Sequence, residues 1–332
     1  MNSNGTGIDV GTNMIVVATV DENNNSVFRM QRDAFYRIKP KSEVNKSSIR
    51  MSLEKRGCNF IVDGHDFIAC GESALEIAIE RNDKAQRPLS KGVISPKEKD
   101  SLPMLKHLLE EVVGRSDGGS LVYSVPAVPI DAQYDIVYHT TMLDNFFTSL
   151  GYVSNPLNEG FAIALSELLD EGLSGITMSF GAGMCNVCVC IQGDPLVEFS
   201  TTKSGDFIDL SVGNALDISP SLVQLEKESG LSLLTNLYNN KIHEAVSVYY
   251  MTVINYTLRS IAYELSQRSD LPNFREKIPI VVSGGLTLAE GFVEKFNQCL
   301  NNVKLPFEIS EVRRASNPMQ AVAAGCLLAA QL

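Results

Sequence analysis

The sequence repeats one pattern at about half its length. Residues 7–30, GIDVGTNMIVVATVDENNNSVFRM, give an apolar strand, a glycine turn, a second strand, a polar turn and a third strand. Residues 175–201, GITMSFGAGMCNVCVCIQGDPLVEFST, give the same series again. Asp9 in the first copy aligns with Ser179 in the second, in a chain of 332 residues. A duplication of this period predicts two related halves, each opened by a three-stranded meander.

Helices and strands alternate along the rest of the chain. Apolar residues at three-to-four spacing predict helices over residues 101–114, 131–151, 158–172, 243–267, 288–300 and 317–332. Short apolar runs predict buried strands over residues 120–127 and 277–285. This alternation indicates an α/β protein with largely parallel sheets, each extended by a meander.

Composition limits the classes of partner. The chain has 39 acidic and 28 basic residues and a net charge of -11. Because an acidic chain repels phosphate backbones, nucleic acid is not expected as a direct partner. No apolar stretch approaches the roughly 20 residues that span a bilayer, and the start MNSNGTGIDV has no charged-then-apolar signal segment. We therefore expect a cytoplasmic protein without direct membrane insertion.

Three of the seven cysteines are clustered in MCNVCVCI, at Cys185, Cys188 and Cys190. A metal site would need a fourth ligand, and the four histidines are isolated along the chain. Residues 187–191 instead fit a β-strand in which cysteine acts as a small apolar residue. We interpret the cluster as part of a buried core.

Eight motifs, in chain order, resemble those of the actin, heat-shock chaperone and sugar kinase superfamily, and most of all those of bacterial actins such as MreB and MamK. They are GIDVGT (7–12), RPLSKGVIS (87–95), VYSVPAVP (122–129), LNEGFAIALSE (157–167), SFGAGMCNV (179–187), SGDFIDL (204–210), VVSGGLTLAEGF (281–292) and SNPMQAVAAGCLLA (316–329). Each motif alone is weak, but the ordered series covers nearly the whole chain. RPLSKGVIS favours bacterial actins over kinases.

The resemblance implies an actin-like (ribonuclease H-like) α/β fold of two related domains with a nucleotide cleft between them. The first half would span residues 1–157, with a small inserted subdomain at about 31–85. The second would span residues 158–332, with an insertion at about 206–242 and a C-terminal helix that packs back on the first half. ATP and Mg²⁺ are the implied cofactors.

The two glycine turns suit a polyphosphate. A tight turn without side chains lets backbone amides approach phosphate oxygens closely. Two facing hairpins can hold a triphosphate from both sides, whereas ordinary hairpin turns are the alternative interpretation. The residues expected on the two sides are Gly11, Thr12, Asn13 and Gly181, Ala182, Gly183.

Two carboxylates are candidates for the chemistry. Asp9 ends a buried strand, where a carboxylate is costly unless it meets a cation or hydrogen-bond donors. The resemblance implies that Asp9 holds magnesium through water, since magnesium keeps much of its hydration shell. Glu159 matches the position that orients the attacking water, although an acid is also favourable in a first helical turn.

Ser179 departs from the pattern of the family, in which bacterial actins and chaperones carry an aspartate. Met184, Cys185 and Asn186 in the same loop also differ from the usual residues. Serine can form hydrogen bonds but brings no negative charge and cannot take up a proton as a carboxylate does. We expect nucleotide binding to survive and hydrolysis to be weakened, with Glu159 and Ser179 as the catalytic positions of a slow ATPase.

The remaining nucleotide-binding residues that the resemblance implies are Gly205, Asp206, Glu226, Lys227, Gly284 and Gly285. The last two glycines follow a buried strand, where they allow a purine and its ribose to approach. For the Glu-Lys pair, a solvated helix face is an equal alternative.

The function that the resemblance favours is a cytoskeletal protein that assembles into filaments under the control of its nucleotide. A head-to-tail contact that does not close generates such a filament. A nucleotide-binding scaffold without hydrolysis is the main alternative, and a small-molecule kinase a distant one. The expected partners are the chain itself and cytoplasmic adaptor proteins.

Overall fold

The computed structural model describes residues 5–95, 98, 100–234, 238, 240–269, 271 and 277–332. Residues 1–4 of the start MNSNGTG, and residues 235–237 and 239 of the second predicted insertion, lie outside this described part.

The chain alternates between strands and helices, as the sequence predicts. The strands are β1 (Thr6–Val10), β2 (Met14–Val20), β3 (Ser26–Arg32), β4 (Phe35–Ile38), β5 (Phe60–Asp63), β6 (Asp66–Cys70), β7 (Leu89–Ser90), β8 (Val93–Ile94), β9 (Ser120–Val125), β10 (Val153–Asn158), β11 (Gly175–Phe180), β12 (Cys185–Ile191), β13 (Asp194–Thr201), β14 (Ile278–Ser283) and β15 (Ile309–Arg314). The helices are α1 (Glu43–Lys55), α2 (Glu72–Glu80), α3 (Ser101–Val113), α4 (Val137–Ser149), α5 (Glu159–Glu167), α6 (Gly205–Leu216), α7 (Pro220–Glu228), α8 (Lys241–Ser266), α9 (Phe292–Leu300) and α10 (Ala321–Gln331).

Two five-stranded sheets share one topology. The first has the order β10-β9-β1-β2-β3, and the second has the equivalent order β15-β14-β11-β12-β13. In each sheet the opening meander is antiparallel and the two later strands run parallel to its first strand. Asp9 pairs with Val16, and Ser179 pairs with Asn186 at the equivalent place. The duplication in the sequence is therefore a duplication of the fold, and the α/β class is confirmed.

Each sheet has its own apolar core. Helix α3 buries Leu105, Leu108 and Val112, whose three-to-four spacing puts them on one face against the first sheet. In the second half, Phe180 packs edge-to-face against Phe292 of α9, with ring centroids 5.2 Å apart. These separate cores fix the two sheets as independent layers.

Two helices cross between the sheets. Helix α5 packs against β11 and β12 of the second sheet, and α10 packs against β1, β2 and β9 of the first. Small residues permit these contacts, since a methyl group at Gly7 would lie 2.2 Å from the Leu327 amide nitrogen. The predicted domain division falls between residues 157 and 158, next to the start of α5, and stays a prediction.

The predicted insertion at residues 31–85 contains a small sheet in the order β4-β6-β5 with α1 and α2 beside it. Its own small core includes Phe67, Ala74 and Leu53. The part of the second insertion that the structure describes contains α6 and α7.

Four predicted helix limits need correction, and one of them is the start of α10, which lies at Ala321 instead of 317. Helix α4 begins at Val137 instead of 131, because the Asp131 carboxylate accepts a hydrogen bond from the Thr202 amide at 2.9 Å and does not cap a helix. Helix α5 ends at Glu167 instead of 172. Helix α9 begins at Phe292, after a 3-10 turn over Gly285–Leu288.

The cysteine cluster lies on β12, where Cys185, Cys188 and Cys190 are fully buried. Their interpretation as small core residues is confirmed. Among the helices of the described residues, none combines the length and the apolar character needed to cross a membrane.

Candidate functional site

A cavity of about 420 Å³ lies between the two sheets and collects almost all of the predicted site residues. Its volume is in the usual range for a small-molecule site. The predicted residues that line it are Asp9, Gly11, Thr12, Asn13, Glu159, Ser179, Gly181, Ala182, Gly183, Gly205, Asp206, Lys227, Gly284 and Gly285. Glu226 is outside this lining, and its carboxylate accepts a hydrogen bond from the Asn240 side chain at 3.0 Å.

The two glycine turns that face the cavity have the same backbone geometry. The Gly11 amide donates to the Met14 carbonyl at 3.1 Å, and the Gly181 amide donates to the Met184 carbonyl at 3.0 Å. A methyl group at Gly11 would lie 2.6 Å from the Met14 oxygen, and one at Gly181 would lie 3.1 Å from the Met184 oxygen. The first turn is therefore closed tightly enough to exclude a side chain at Gly11, whereas the second turn leaves only a tight fit at Gly181.

Residues 87–95, which we call the bridging segment, connect the two turns. The Gly92 amide donates to Thr12 Oγ1 at 3.2 Å in the first turn. A methyl group at Gly92 would lie 2.4 Å from Met184 Sδ in the second, and Gly92 has a φ of +74°. Met184, which the sequence showed only as a departure from the family, therefore packs against the segment that resembles bacterial actins.

Asp9 lies at the cavity end of β1. Its Oδ1 accepts a hydrogen bond from Ser124 Oγ at 3.0 Å, and Ser124 Oγ accepts one from the Val10 amide at 3.0 Å. Burial raises the pKa of the Asp9 carboxyl, and the Ser124 hydrogen bond only partly offsets that rise. A desolvated carboxylate in a cavity fits a site for a hydrated cation.

Glu159 is the first residue of α5 and faces the same cavity. The Asn158 side chain caps the helix by accepting hydrogen bonds from the amides of Gly160 and Phe161 at 2.8 and 3.2 Å. The cap fixes where the Glu159 backbone enters the cavity. Burial and the nearby Asp9 charge raise the pKa of the Glu159 carboxyl, which favours a proton on it.

Ser179 and Asn186 are paired across β11 and β12 and both face Glu159. Their side chains lower the pKa of the Glu159 carboxyl by hydrogen bonding, against the larger effect of burial. The Asn186 Oδ1 atom accepts a hydrogen bond from the Ala127 amide at 2.9 Å, and its Nδ2 atom is buried without a hydrogen-bond partner among the described residues. The sequence marked Asn186 only as a replacement for an acid, and its contact with Ala127 was missed.

Ion pairs cross the cavity from the first half to the second. Arg87 Nη2 in the bridging segment lies 2.8 Å from Asp206 Oδ1 at the start of α6. Arg32, at the end of β3, lies 4.0 Å from Glu228 on α7. These cross-cleft contacts were not predicted, because residues far apart in the chain meet only after folding.

An ion pair joins α7 to α6. Lys227 Nζ on α7 lies 2.8 Å from both carboxylate oxygens of Asp209 on α6. The Gly205 and Asp206 amides donate to the carbonyls of Gly181 and Ala182 at 3.1 and 2.8 Å. The start of α6 is therefore joined to the second turn by its own amides.

Asp33 is a buried carboxyl that the sequence did not reveal as part of the site. It follows β3, and its amide donates to the Asn13 carbonyl at 3.0 Å. Burial raises the pKa of the Asp33 carboxyl to about 8, although the Arg87 charge and the Leu89 amide lower it. This places a second desolvated acid directly behind the first turn.

The far wall of the cavity is apolar. Gly284 has a φ of +88°, and a methyl group there would lie 2.5 Å from the Phe180 oxygen, so the turn after β14 requires glycine. The apolar residues that complete this wall are Leu231, Leu286, Leu288, Ala289 and Met319. The cavity therefore combines glycine turns and carboxylates with an apolar part of its lining.

Comparison with known proteins identifies one family and several related folds. A family model described as Volactin matches residues 5–330. No curated protein matches the chain.

Three solved structures share its fold. A MamK double helical filament has a TM-score of 0.71 and 18% identity, covering 99% of this chain and 98% of that chain. MreB 5 of Spiroplasma citri bound to AMPPNP has a TM-score of 0.64 and 15% identity, covering 98% and 95%. The ethanolamine utilization protein EutJ from Carboxydothermus hydrogenoformans has a TM-score of 0.56 and 14% identity, covering 97% and 88%. The predicted actin-like fold is confirmed.

Proposed function

This chain belongs to the Volactin family, and on that premise we propose that it is an ATP-binding cytoskeletal protein that assembles head to tail into filaments. The observation that carries the proposal is the pair of equivalent glycine turns that face one cavity. The likeness to a MamK filament and to MreB 5 bound to AMPPNP supports both parts of it.

The cavity suits a nucleoside triphosphate along its length. The turns at Gly11 and Gly181 would hold the phosphates through backbone amides. The apolar wall near Gly284 would take the base and ribose. Lys227 lines the same cavity, where its charge is already balanced by Asp209.

Asp9 would hold magnesium through water, and the bound ion would neutralise phosphate charge. Glu159 would orient the attacking water. Burial raises the pKa of its carboxyl to about 8, so the fraction that is ionised near neutral pH would take up the proton of the water. Asn186 would keep the Glu159 side chain in place. Ser179 would hydrogen-bond to Glu159 without adding the negative charge that an aspartate would supply.

This chemistry favours tight binding with slow hydrolysis. Filaments would then persist with nucleotide bound, as a cytoplasmic cytoskeletal element that adaptor proteins could engage. The same observation at Ser179 also favours the second candidate, a nucleotide-binding scaffold that does not hydrolyse ATP.

Nucleotide binding is tested by thermal unfolding with and without Mg-ATP. A ligand that binds only the folded state stabilises it by about 2.7 kcal/mol at a hundredfold excess over its dissociation constant. Gly11→Val should remove this gain, because the first turn has no space for a side chain. A melting temperature that saturating nucleotide leaves unchanged in the wild type would show that the cavity is not a nucleotide site.

Assembly is tested by sedimentation and electron microscopy over a range of protein concentrations. We expect filaments above a critical concentration when ATP is present. Monomers at every concentration, combined with normal nucleotide binding, would support the scaffold instead.

A further inference from the structure

Helix α1 and its flanks form a basic region in an acidic chain. Residues 37–56 contain seven Lys and Arg residues and two Glu residues, whereas the whole chain has a net charge of -11. Two of the seven, Arg37 and Arg56, are paired with acids outside the segment, and the other five are Lys39, Lys41, Lys46, Arg50 and Lys55. Such an asymmetry points to a binding surface for an acidic partner.

One face of this region is exposed and without ion pairs. Residues Lys41, Val44, Ser48, Met51 and Lys55 recur at three-to-four spacing, all are exposed, and we call them the basic stripe. Val44 is 79% exposed and Met51 63% exposed. Among the ion pairs of the described residues, none involves Lys41 or Lys55, which stand at the two ends of the stripe.

A second surface has the opposite character. Glu167, Leu169, Asp170 and Glu171, at and after the end of α5, line a polar depression with Arg313, and we call it the acidic pocket. Leu169 is 59% exposed.

Within the acidic pocket, the Arg313 guanidinium pairs with more than one carboxylate. Arg313 lies 2.8 Å from Glu167 and 3.3 Å from Glu171. The other oxygen of Glu171 is buried without a hydrogen-bond partner among the described residues. Asp170 is exposed. The pocket therefore has more acidic than basic side chains and can accept another cation.

The two surfaces belong to different parts of the fold. Strand β3 ends at Arg32 in the cavity, and the chain continues from there into the insertion that contains α1. Helix α5 begins at Glu159 in the cavity and ends at Glu167, about 12 Å further along its axis. Residues 168–174 then precede β11, which runs back to the cavity.

We propose that the basic stripe of one copy docks in the acidic pocket of a second copy. This proposal rests on the filament function proposed above. Lys41 and Lys55 would meet the acids, while Val44 and Met51 would cover the exposed Leu169. Charge complementarity of this kind sets register and partner choice. Because the contact joins two different surfaces, it is heterologous, and such a contact generates a filament when its rotation does not close into a ring.

An anionic lipid surface could also attract a basic helix face. Lipid binding would leave the acidic pocket without a cation. A second copy of the chain accounts for both surfaces, and binding to lipid is the other outcome of the test.

The test uses two charge-changed variants of the full chain with ATP. The head variant carries Lys41→Glu and Lys55→Glu, and the tail variant carries Leu169→Ser and Asp170→Lys. Each should raise the critical concentration at least about tenfold, as expected for disrupted charge pairs at an interface. The control variant, with Lys241→Glu and Lys304→Glu, makes the same change in net charge as the head variant at exposed positions elsewhere. It should assemble like the wild type.

Mixing the two variants isolates this one contact. Each keeps one intact surface, so an equal mixture should give a heterodimer by sedimentation velocity, whereas each variant alone should stay monomeric. A monomeric mixture, or normal assembly of the head variant, would overturn the proposed docking. Wild-type filaments would then have to form through another contact. Failure of the wild type to assemble would overturn the filament function as well. Binding of the wild type to phosphatidylserine vesicles that the head variant loses, with assembly unchanged, would assign the stripe to lipid.

Discussion

The two glycine turns show how a fold can repeat without repeating its chemistry. Their closing hydrogen bonds differ by only 0.1 Å, at 3.1 and 3.0 Å, and their strands pair in equivalent registers. Behind the first turn, however, lie the carboxyls of Asp9 and Asp33, whereas the second is supported by the hydroxyls of Ser179 and Ser204. Backbone hydrogen bonds and core packing maintain the fold, so the side chains in the cavity are free to diverge.

This difference concerns the side chains that support the two turns themselves. The Ser204 hydroxyl donates to the carbonyls of Gly181 and Met184 and so braces the second turn without charge. A phosphate ligand would meet similar backbones at both turns, with the Asp9 carboxylate beside the first turn and hydroxyls beside the second, while Asp206 and Asp209 also line the cavity from the second half. The asymmetry favours binding over turnover.

The largest expected effect comes from restoring the missing charge. Ser179→Asp should raise the rate of phosphate release from bound ATP by about 10²-fold or more, since general-base assistance is typically worth 10²–10⁴-fold. The added carboxylate would face Glu159, where Ser179 now provides only a hydrogen bond. Single-turnover release of phosphate measures the effect.

Ser179→Asn is the matched control, because it has nearly the size of aspartate without its charge. It should leave the rate close to that of the wild type. Equal rates for the Asp and Asn variants would show that the two turns do not differ through charge at this position.

A smaller effect is expected from the buried carboxyl behind the first turn. In the folded protein the pKa of Asp33 is raised to about 8, whereas its ordinary value is 3.8. Between these values the folded state keeps a proton that the unfolded state loses, so stability is present at low pH and is lost as pH rises toward 8. The expected loss in the free energy of unfolding is about 2 kcal/mol between pH 5 and pH 7.

Asp33→Asn should remove this loss, because an amide does not titrate. Urea unfolding at pH 5, 6 and 7 should give similar stabilities for variant and wild type at pH 5, and a more stable variant at pH 7. Asp117→Asn, at an exposed position, is the control and should change nothing. Parallel pH profiles for Asp33→Asn and the wild type would show that this carboxyl is not a source of the asymmetry.

Local patterns in the sequence predicted the fold and the backbone of the site. The duplicated strand-turn-strand series identified both turns because glycine spacing and apolar runs are properties of adjacent residues. The glycines at 11 and 284 are positions where the turn geometry itself excludes a side chain.

The rest depended on contacts between distant parts of the chain. Arg87 and Asp206 are 119 residues apart, and no local pattern links them. On α7, Lys227 lines the cavity but Glu226 does not, because neighbouring residues on a helix point about 100° apart. The predicted start of helix α4 at residue 131 was wrong for the same reason, since Asp131 accepts hydrogen bonds from the Thr202 amide.

The smallest expected effect concerns the ion pair that joins the two turns. Arg87→Met and Asp206→Asn, made singly and together, should show a coupling energy of about 1 kcal/mol in the free energy of unfolding without nucleotide, as for a partly buried pair. The exposed pair of Arg115 and Glu110, which lies within one half, is the control and should couple by roughly 0.5 kcal/mol or less. Arg87→Met alone should also weaken ATP binding by about tenfold, because it leaves the Asp206 carboxylate unbalanced beside the phosphates. The effects of Arg87→Met and Asp206→Asn on the free energy of unfolding could instead be additive, with ATP affinity unchanged. The two halves would then be held together by their shared helices and not by charge across the cavity.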